Sequence, residues 1–292
     1  MSLASTVLAW GRMVKFSHSV FALPFAFAGA ALASVEAGIS MRQVVWIAVA
    51  MVGVRNAAMG MNRLADHALD ARNPRTSKRA LPRGEIGRPA VWAVTILLSV
   101  LFVVAAFQLN PLCGWLSPAA LGIVFGYSFL KRISWASHLV LGLSLAMAPV
   151  GGWLAVQGRF AAVPWVLGAG VLMWVAGFDI VYACQDAEFD RRAGLHSIPA
   201  RFGPRGALRA ARGLHGGALA ALATVGWLAD LHPVYWLGWL VIGTLLLWEH
   251  RLVRPEDLSR VGVAFFNMNG IVSVLYLLSV LVSILLPSVK SP

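Results

Sequence analysis

Residues 61–84 read MNRLADHALDARNPRTSKRALPRG. An amide and two carboxylates recur every fourth residue, at Asn62, Asp66 and Asp70, and a basic run from Arg72 to Arg83 follows. The stretch is foreign to its surroundings. Of the 292 residues 59% are hydrophobic and 12% are charged, the latter about half the usual soluble fraction. The mean hydropathy is +0.75.

Outward from this stretch, apolar runs recur in both directions. Their lengths match a hydrocarbon layer of about 30 Å crossed at about 1.5 Å per helical residue. Nine spans are expected, near 19–35, 42–61, 89–108, 112–130, 136–156, 163–183, 208–229, 233–249 and 264–286. A soluble all-α protein would need polar helix faces, and most of these runs have none. The expected fold class is therefore all-α: a polytopic membrane protein of nine transmembrane helices, in one domain covering 1–292. Arg12 and Lys15 before the first run resemble a signal peptide's start, but the many later spans favour a retained first helix. Cys113 and Cys184 give neither a disulfide framework nor a zinc spacing.

The formal net charge is +12, which in a soluble chain would suggest nucleic acid. Here topology accounts for it, and no nucleic-acid partner is expected. Twenty of the 24 Lys and Arg fall on one side of the nine expected spans, whereas Arg42, Arg159 and Lys290 fall on the other and Arg55 sits within the second span. The positive-inside rule places the N-terminus and the long polar loops in the cytoplasm. An odd number of spans sends the C-terminus outside.

Six of the twelve acidic residues lie in two short stretches. Tyr182, Asp186 and Asp190 repeat the spacing of Asn62, Asp66 and Asp70 after 120 residues. On a helix each step of four displaces neighbours by only about 40°, so each triplet forms a polar stripe. Asp179 precedes Asp186 by seven and Arg55 precedes Asn62 by seven, each on the same face as its stripe. Both stripes are expected at the cytoplasmic ends of apolar helices. Carboxylates at this spacing suit Mg²⁺, which takes oxygen ligands and shares them with substrate phosphates. The basic residues that follow each stripe suit charge-assisted hydrogen bonds to phosphate oxygens. The pattern points to a diphosphate clamp at a membrane surface. A transporter of an anionic lipid or small molecule is the alternative of another class, but it would place charges near mid-membrane on several spans.

At these residues the chain resembles the UbiA superfamily of intramembrane aromatic prenyltransferases. The first signature, N-x-x-x-D-x-x-x-D, is carried by Asn62, Asp66 and Asp70, and its continuation by Asn73, Arg75, Thr76, Arg79, Leu81, Pro82 and Gly84. The second is carried by Asp179, Tyr182, Ala183, Asp186 and Asp190. Tyr127 with Lys131 and Arg132 resembles a third element, and KFSHSVFALPFA at 15–26 is similar to the family's N-terminal stretch.

The resemblance implies nine helices around a central cavity with a cytoplasmic cap, in an integral membrane protein of a bacterial inner membrane. It implies a polyprenyl diphosphate donor, a small aromatic acid acceptor of 4-hydroxybenzoate type, and Mg²⁺ held by Asn62, Asp66, Asp70, Asp186 and Asp190. These four acids and Asp179 are the candidate catalytic residues; Arg55, Asn62, Arg75, Lys78, Arg79, Tyr127, Lys131 and Tyr182 are the candidate substrate contacts. The stretch at 61–84 resembles 4-hydroxybenzoate polyprenyltransferases and, more closely still, their relatives that act on a dihydroxynaphthoate-type acceptor in the futalosine route to menaquinone. Arg63, where many hydroxybenzoate enzymes carry Asp, suits that subgroup. His18, Asn267 and Asn269 are weaker candidates for the cavity wall.

Overall fold

The computed structural model describes residues 10, 11, 13, 22–263 and 268–287. His18, Asn267 and most of the 15–26 stretch lie outside them. The regular elements among the described residues are helical: α1 (Leu23–Ala37), α2 (Met41–Arg72), α3 (Arg88–Leu109), α4 (Pro111–Leu130), α5 (Ser137–Gln157), α6 (Ala162–Ala183), α7 (Ala187–Arg192), α8 (Ile198–Leu228), α9 (Val234–Leu252) and α10 (Asn269–Leu285). A 3₁₀ turn, Cys184–Asp186, joins α6 to α7.

Five segments are long and apolar enough to cross a bilayer: α2, α3, α4, α5 and the α6–α7 segment. Two shorter helices, α1 and α10, are apolar but have 15 and 17 residues. The remaining long helices, α8 and α9, carry Arg205, Arg209 and Arg212, and His250 and Arg251, and fall outside that set. The exposed face of α3 presents Trp92, Ile96, Leu97, Val100, Val104 and Phe107. In water such a stripe would be a liability; against lipid it is the expected surface.

Local sequence explains where the site-bearing helix starts and stops. Ser40 caps α2 through the Gln43 amide and receives the Gln43 side chain in return, a capping box. The helix then runs for 32 residues, roughly 48 Å at 1.5 Å per residue. That is longer than the hydrocarbon layer, so its last turns project into the polar zone. The expected boundary at 61 is therefore corrected to Arg72: hydropathy ends at the membrane surface, whereas the helix does not. It ends at Asn73, whose side chain accepts from the Arg75 amide, while the Thr76 hydroxyl donates to the Asp70 carbonyl.

The core is densest behind the site. Phe25 of α1, Trp174 and Phe178 of α6 and Tyr276 of α10 form an aromatic cluster with centroid separations of 5.0–5.1 Å. The close approach of α1 and α5 requires glycine. A Cβ at Gly29 would stand 2.1 Å from the Pro149 carbonyl oxygen, and one at Gly152 2.0 Å from that of Ala26. Small residues that let backbones meet replace the hydrophobic drive that lipid cannot supply.

Candidate active site

A cavity of about 1310 Å³ opens among α1 to α6 and the loops that follow α2 and α6. Its lining runs along α2 from Ile47 to Asp70, roughly 35 Å of helix. The far end is apolar, with Ile47, Met51, Leu109, Cys113 and Leu154. The near end is charged. All thirteen residues singled out from the sequence as catalytic, metal-binding or substrate-binding line this one cavity. None of the described residues of α8, α9 or α10 does.

The first stripe, on the last three turns of α2, keeps its expected geometry. Asn62 Nδ2 donates to Asp66 at 3.1 Å, and Arg132 reaches the other Asp66 oxygen at 3.1 Å. Asp70 is 6% exposed and lies between two arginines: Arg79 at 2.7 Å and Arg63 at 3.3 Å. The second stripe departs from expectation. It does not lie on one regular helix, because the chain tightens into the 3₁₀ turn at Cys184–Asp186 before α7. Asp179 and Tyr182 sit on α6, Asp186 in the turn and Asp190 on α7.

The two stripes converge through the loop after α2. Arg75 grips Asp186 with two hydrogen bonds, at 2.9 and 2.5 Å, and gives a third to the Tyr182 hydroxyl at 2.9 Å. Asn73 Nδ2 donates to the same Asp186 oxygen at 3.0 Å. Burial disfavours the Arg75 charge, but its hydrogen bonds and attraction to Asp186, and then to Tyr182, outweigh that and raise its pKa above the ordinary value. Asp190, 1% exposed, pairs with Lys131 at 2.8 Å and accepts from Ser197 Oγ at 2.9 Å. Arg55, Tyr127 and Lys78 also line it: Arg55 about two turns before Asn62 on α2, Tyr127 on α4, Lys78 in the loop.

Each candidate carboxylate thus faces a base: Asp66 with Arg132, Asp70 with Arg79 and Arg63, Asp179 with His138, Asp186 with Arg75, and Asp190 with Lys131. Among the described residues no three His, Cys, Asp or Glu side chains stand together as a ready metal cage. The donor set nonetheless fits a hard divalent cation: four carboxylates and one amide oxygen line one wall-to-wall mouth, with no thiolate or imidazole among them. The bases fit an anion. Loaded with both, the mouth would exchange protein ion pairs for carboxylate–metal and guanidinium–phosphate pairs.

Sequence reasoning missed His138, Arg63 and Asn73 as site residues and gave Arg132 a lesser place than Lys131. His138 had one available signal: an ionisable side chain at the start of an apolar run is costly and marks function. Asn73 stood within the quoted signature. Cys113 and Cys184 are both free thiols. Asn269, buried at 0% exposure on α10, does not line the cavity.

The chain is similar to known proteins in sequence and in fold. Residues 22–271 match the UbiA prenyltransferase family. The chain is 33% identical over 218 residues to a 4-hydroxybenzoate octaprenyltransferase of Xanthomonas euvesicatoria, covering 74% of this chain and 72% of that protein. It is 30% identical over 218 residues to one from Tolumonas auensis, covering 75% and 76%. Among solved structures, a UbiA homologue from Aeropyrum pernix K1 superposes with a TM-score of 0.83 at 33% identity, over 91% of this chain and 97% of that one. A UbiA homologue from Archaeoglobus fulgidus, bound to GPP and Mg²⁺, superposes with a TM-score of 0.74 at 22% identity, over 95% and 100%, a likeness of fold. The chain belongs to the UbiA prenyltransferase family: it is an integral-membrane polyprenyltransferase.

Proposed function

We propose that the chain transfers a polyprenyl group from polyprenyl diphosphate to a small aromatic acid of 4-hydroxybenzoate type, for quinone biosynthesis. The observation that carries this reading is the charged mouth on a long apolar cavity: six acids and seven Lys and Arg side chains line it together with a wall of aliphatic side chains. Relatives named for 4-hydroxybenzoate support the acceptor. The same site could take a dihydroxynaphthoate, the acceptor subgroup that Arg63 suits. We read the protein as one domain over 1–292 with nine spans, the acidic mouth as its cytoplasmic cap, the N-terminus inside and the C-terminus outside a bacterial plasma membrane.

Asn62, Asp66, Asp70, Asp186 and Asp190 hold Mg²⁺ in this reading. The bound metal supplies charge neutralisation to a diphosphate leaving group. Arg75, Lys78, Arg79 and Lys131 bind the phosphate oxygens, with Tyr182 orienting Arg75. The apolar wall carries the prenyl tail and keeps water from the allylic cation formed when the C–O bond breaks. Arg55, deeper on α2, takes the acceptor's carboxylate, beside Tyr127. Asp179, on α6 seven residues before Asp186 and further into the membrane, receives the ring hydroxyl. Most of the rate gain then comes from charge already in place around the diphosphate.

Purified protein given a short prenyl diphosphate and each acceptor in turn tests this. Transfer is expected with Mg²⁺ and lost in excess chelator. Asp66→Ala and Asp186→Ala should each lower turnover at least about a hundredfold while the protein still inserts in membranes. Near-normal turnover in either variant, or in chelator, rejects the assigned metal site.

A further inference from the structure

We infer that His138 is a positioning residue that fixes Asp179 as the ionised acceptor of the substrate's hydroxyl proton. The inference rests on the reading above that Asp179 faces the aromatic substrate.

The geometry is specific. His138 is the second residue of α5, is 3% exposed, and lines the same cavity as Asp179. Its Nδ1 lies 2.6 Å from Asp179 Oδ2. On the other side of the ring, the backbone N–H of Ile198 points at Nε2 at 3.4 Å. A backbone N–H can only donate, so Nε2 must offer a lone pair. The ring proton is therefore on Nδ1, and Nδ1 must donate to Asp179. A protonated Asp179 donating to Nδ1 would push the ring proton to Nε2, against the Ile198 N–H. An imidazolium would do the same. One arrangement satisfies both ends: neutral His138 in the Nδ1–H form beside an ionised Asp179.

Ile198 is no accidental partner. It is the first residue of α8, whose cap Ser197 hydroxyl both accepts from Ala200 N–H and donates to Asp190. The His196 amide is tied to the Lys131 carbonyl at 2.7 Å. His138 therefore spans two groups with different tasks. One ring nitrogen meets the segment that holds Asp190 and Lys131 at the diphosphate mouth. The other meets Asp179, deeper in the cavity. The arrangement resembles a base whose tautomer is set by its second hydrogen bond, with the carboxylate here as the group that reacts.

The prenyl C1–O bond breaks, its electron pair leaves with the diphosphate, and a ring carbon beside the hydroxyl then bonds to the allylic cation at C1. The hydroxyl proton passes to Asp179, leaving a ring carbonyl. The hydrogen on the substituted carbon then departs as a proton to the diphosphate, its electron pair restores the aromatic ring, and Asp179 returns its proton to the oxygen. His138 keeps its own proton throughout.

Two experiments test the inference. In the first, His138→Leu is compared with His138→Asn, whose amide can place a donor where Nδ1 stood. The Leu variant should lose up to roughly a hundredfold in kcat, the scale of misplacing a reacting group, with KM for the prenyl diphosphate within about twofold. The Asn variant should recover most of the loss. In the second, ¹⁵N-histidine spectra of wild type and His138→Asn identify the His138 signals by difference, and these should show a protonated Nδ1 and a bare Nε2 at neutral pH. A Leu variant with unchanged kcat, an Asn variant as impaired as Leu, or an Nε2–H or imidazolium His138 overturns the inference. A wild-type protein that prenylates no aromatic acid overturns the proposed function, and the role of Asp179 with it, whereas active wild type with an indifferent His138 overturns this inference alone.

Discussion

Arg75 shows how much one side chain can join. It lies in the loop after α2, yet its planar fork holds Asp186 on two edges and the Tyr182 hydroxyl with a third nitrogen, across 107 to 111 residues of sequence. Its guanidinium carbon also sits 5.2 Å from the centre of the Tyr182 ring. Lysine keeps the charge but offers no fork and stacks poorly. Arg75→Lys should therefore raise KM for the prenyl diphosphate by about tenfold, one lost charge-assisted bond being worth about 1.5–3 kcal/mol. Steady-state kinetics with the acceptor saturating check this. An unchanged KM would mean that Arg75 serves only to hold Asp186. This residue's type and place were legible in the sequence, as part of the run from Arg72 to Arg83. Its partner was not, because nothing in a local pattern pairs a loop arginine with an acid 111 residues away.

At the scale of elements, hydropathy located the apolar helices well and polar segments poorly. The runs expected at 89–108 and 112–130 are the helices Arg88–Leu109 and Pro111–Leu130. Pro89 and Pro111, each in a helix's first turn, mark those starts. The helix expected at 208–229 instead begins at Ile198, ten residues earlier. Its first turns carry Arg201, Arg205 and Arg209 and look like loop by hydropathy, although Ser197 and Pro199 are an N-cap and first-turn pair. The break within it, at Gly203 with φ +67° before Pro204, is a position only glycine occupies easily. The convergence of both stripes was expected from the chemistry; the 3₁₀ turn that aims Asp186 at the loop was not, since 3₁₀ and α turns share one local composition. Packing between elements gives its own prediction. A Cβ at Gly152 would lie 2.0 Å from the Ala26 oxygen, with backbone on both sides, so Gly152→Ala must separate α1 from α5. A destabilisation of about 1–3 kcal/mol is expected, as for overpacked cores. Gly122→Ala on exposed α4 has nothing within 4 Å to meet and should be neutral or slightly stabilising. Thermal unfolding in detergent separates the two. Equal melting temperatures would show that the α1–α5 contact is not held at this distance.

The whole molecule is a brace and a vessel. The helices α6, α8, α9 and α10 pack around Trp174, Tyr235, Ile242 and Tyr276, all at most 3% exposed. The helices α1 to α6 surround the cavity, and α2 to α5 turn apolar faces outward. The charged mouth is where the two meet, and its present state is one of mutual neutralisation: Asp66, Asp70, Asp186 and Asp190 are each held by an arginine or lysine of the protein itself. That has a consequence for binding. In the proposed reading, Mg²⁺ alone would have to compete with Arg75, Arg79 and Lys131 for the carboxylates and would leave those bases without partners. A prenyl diphosphate alone would have to compete with the carboxylates for the bases. With both bound, the acids would face the metal and the bases the phosphates, so neither set would be left buried and unpaired, which is the costly outcome. Stabilisation by ligands that bind only the folded state follows RT ln(1 + [L]/Kd), about 2.7 kcal/mol at a hundredfold excess over Kd. The melting temperature in detergent should therefore rise little with Mg²⁺ or with a non-hydrolysable prenyl thiodiphosphate alone, and by several degrees with both. Asp186→Asn, which removes one acid from the exchange and frees Arg75, should abolish the excess of the joint shift over the sum of the separate ones. Additive shifts in the wild type, or a full thiodiphosphate shift in excess chelator, would show that the acids and bases of this mouth do not trade partners on loading.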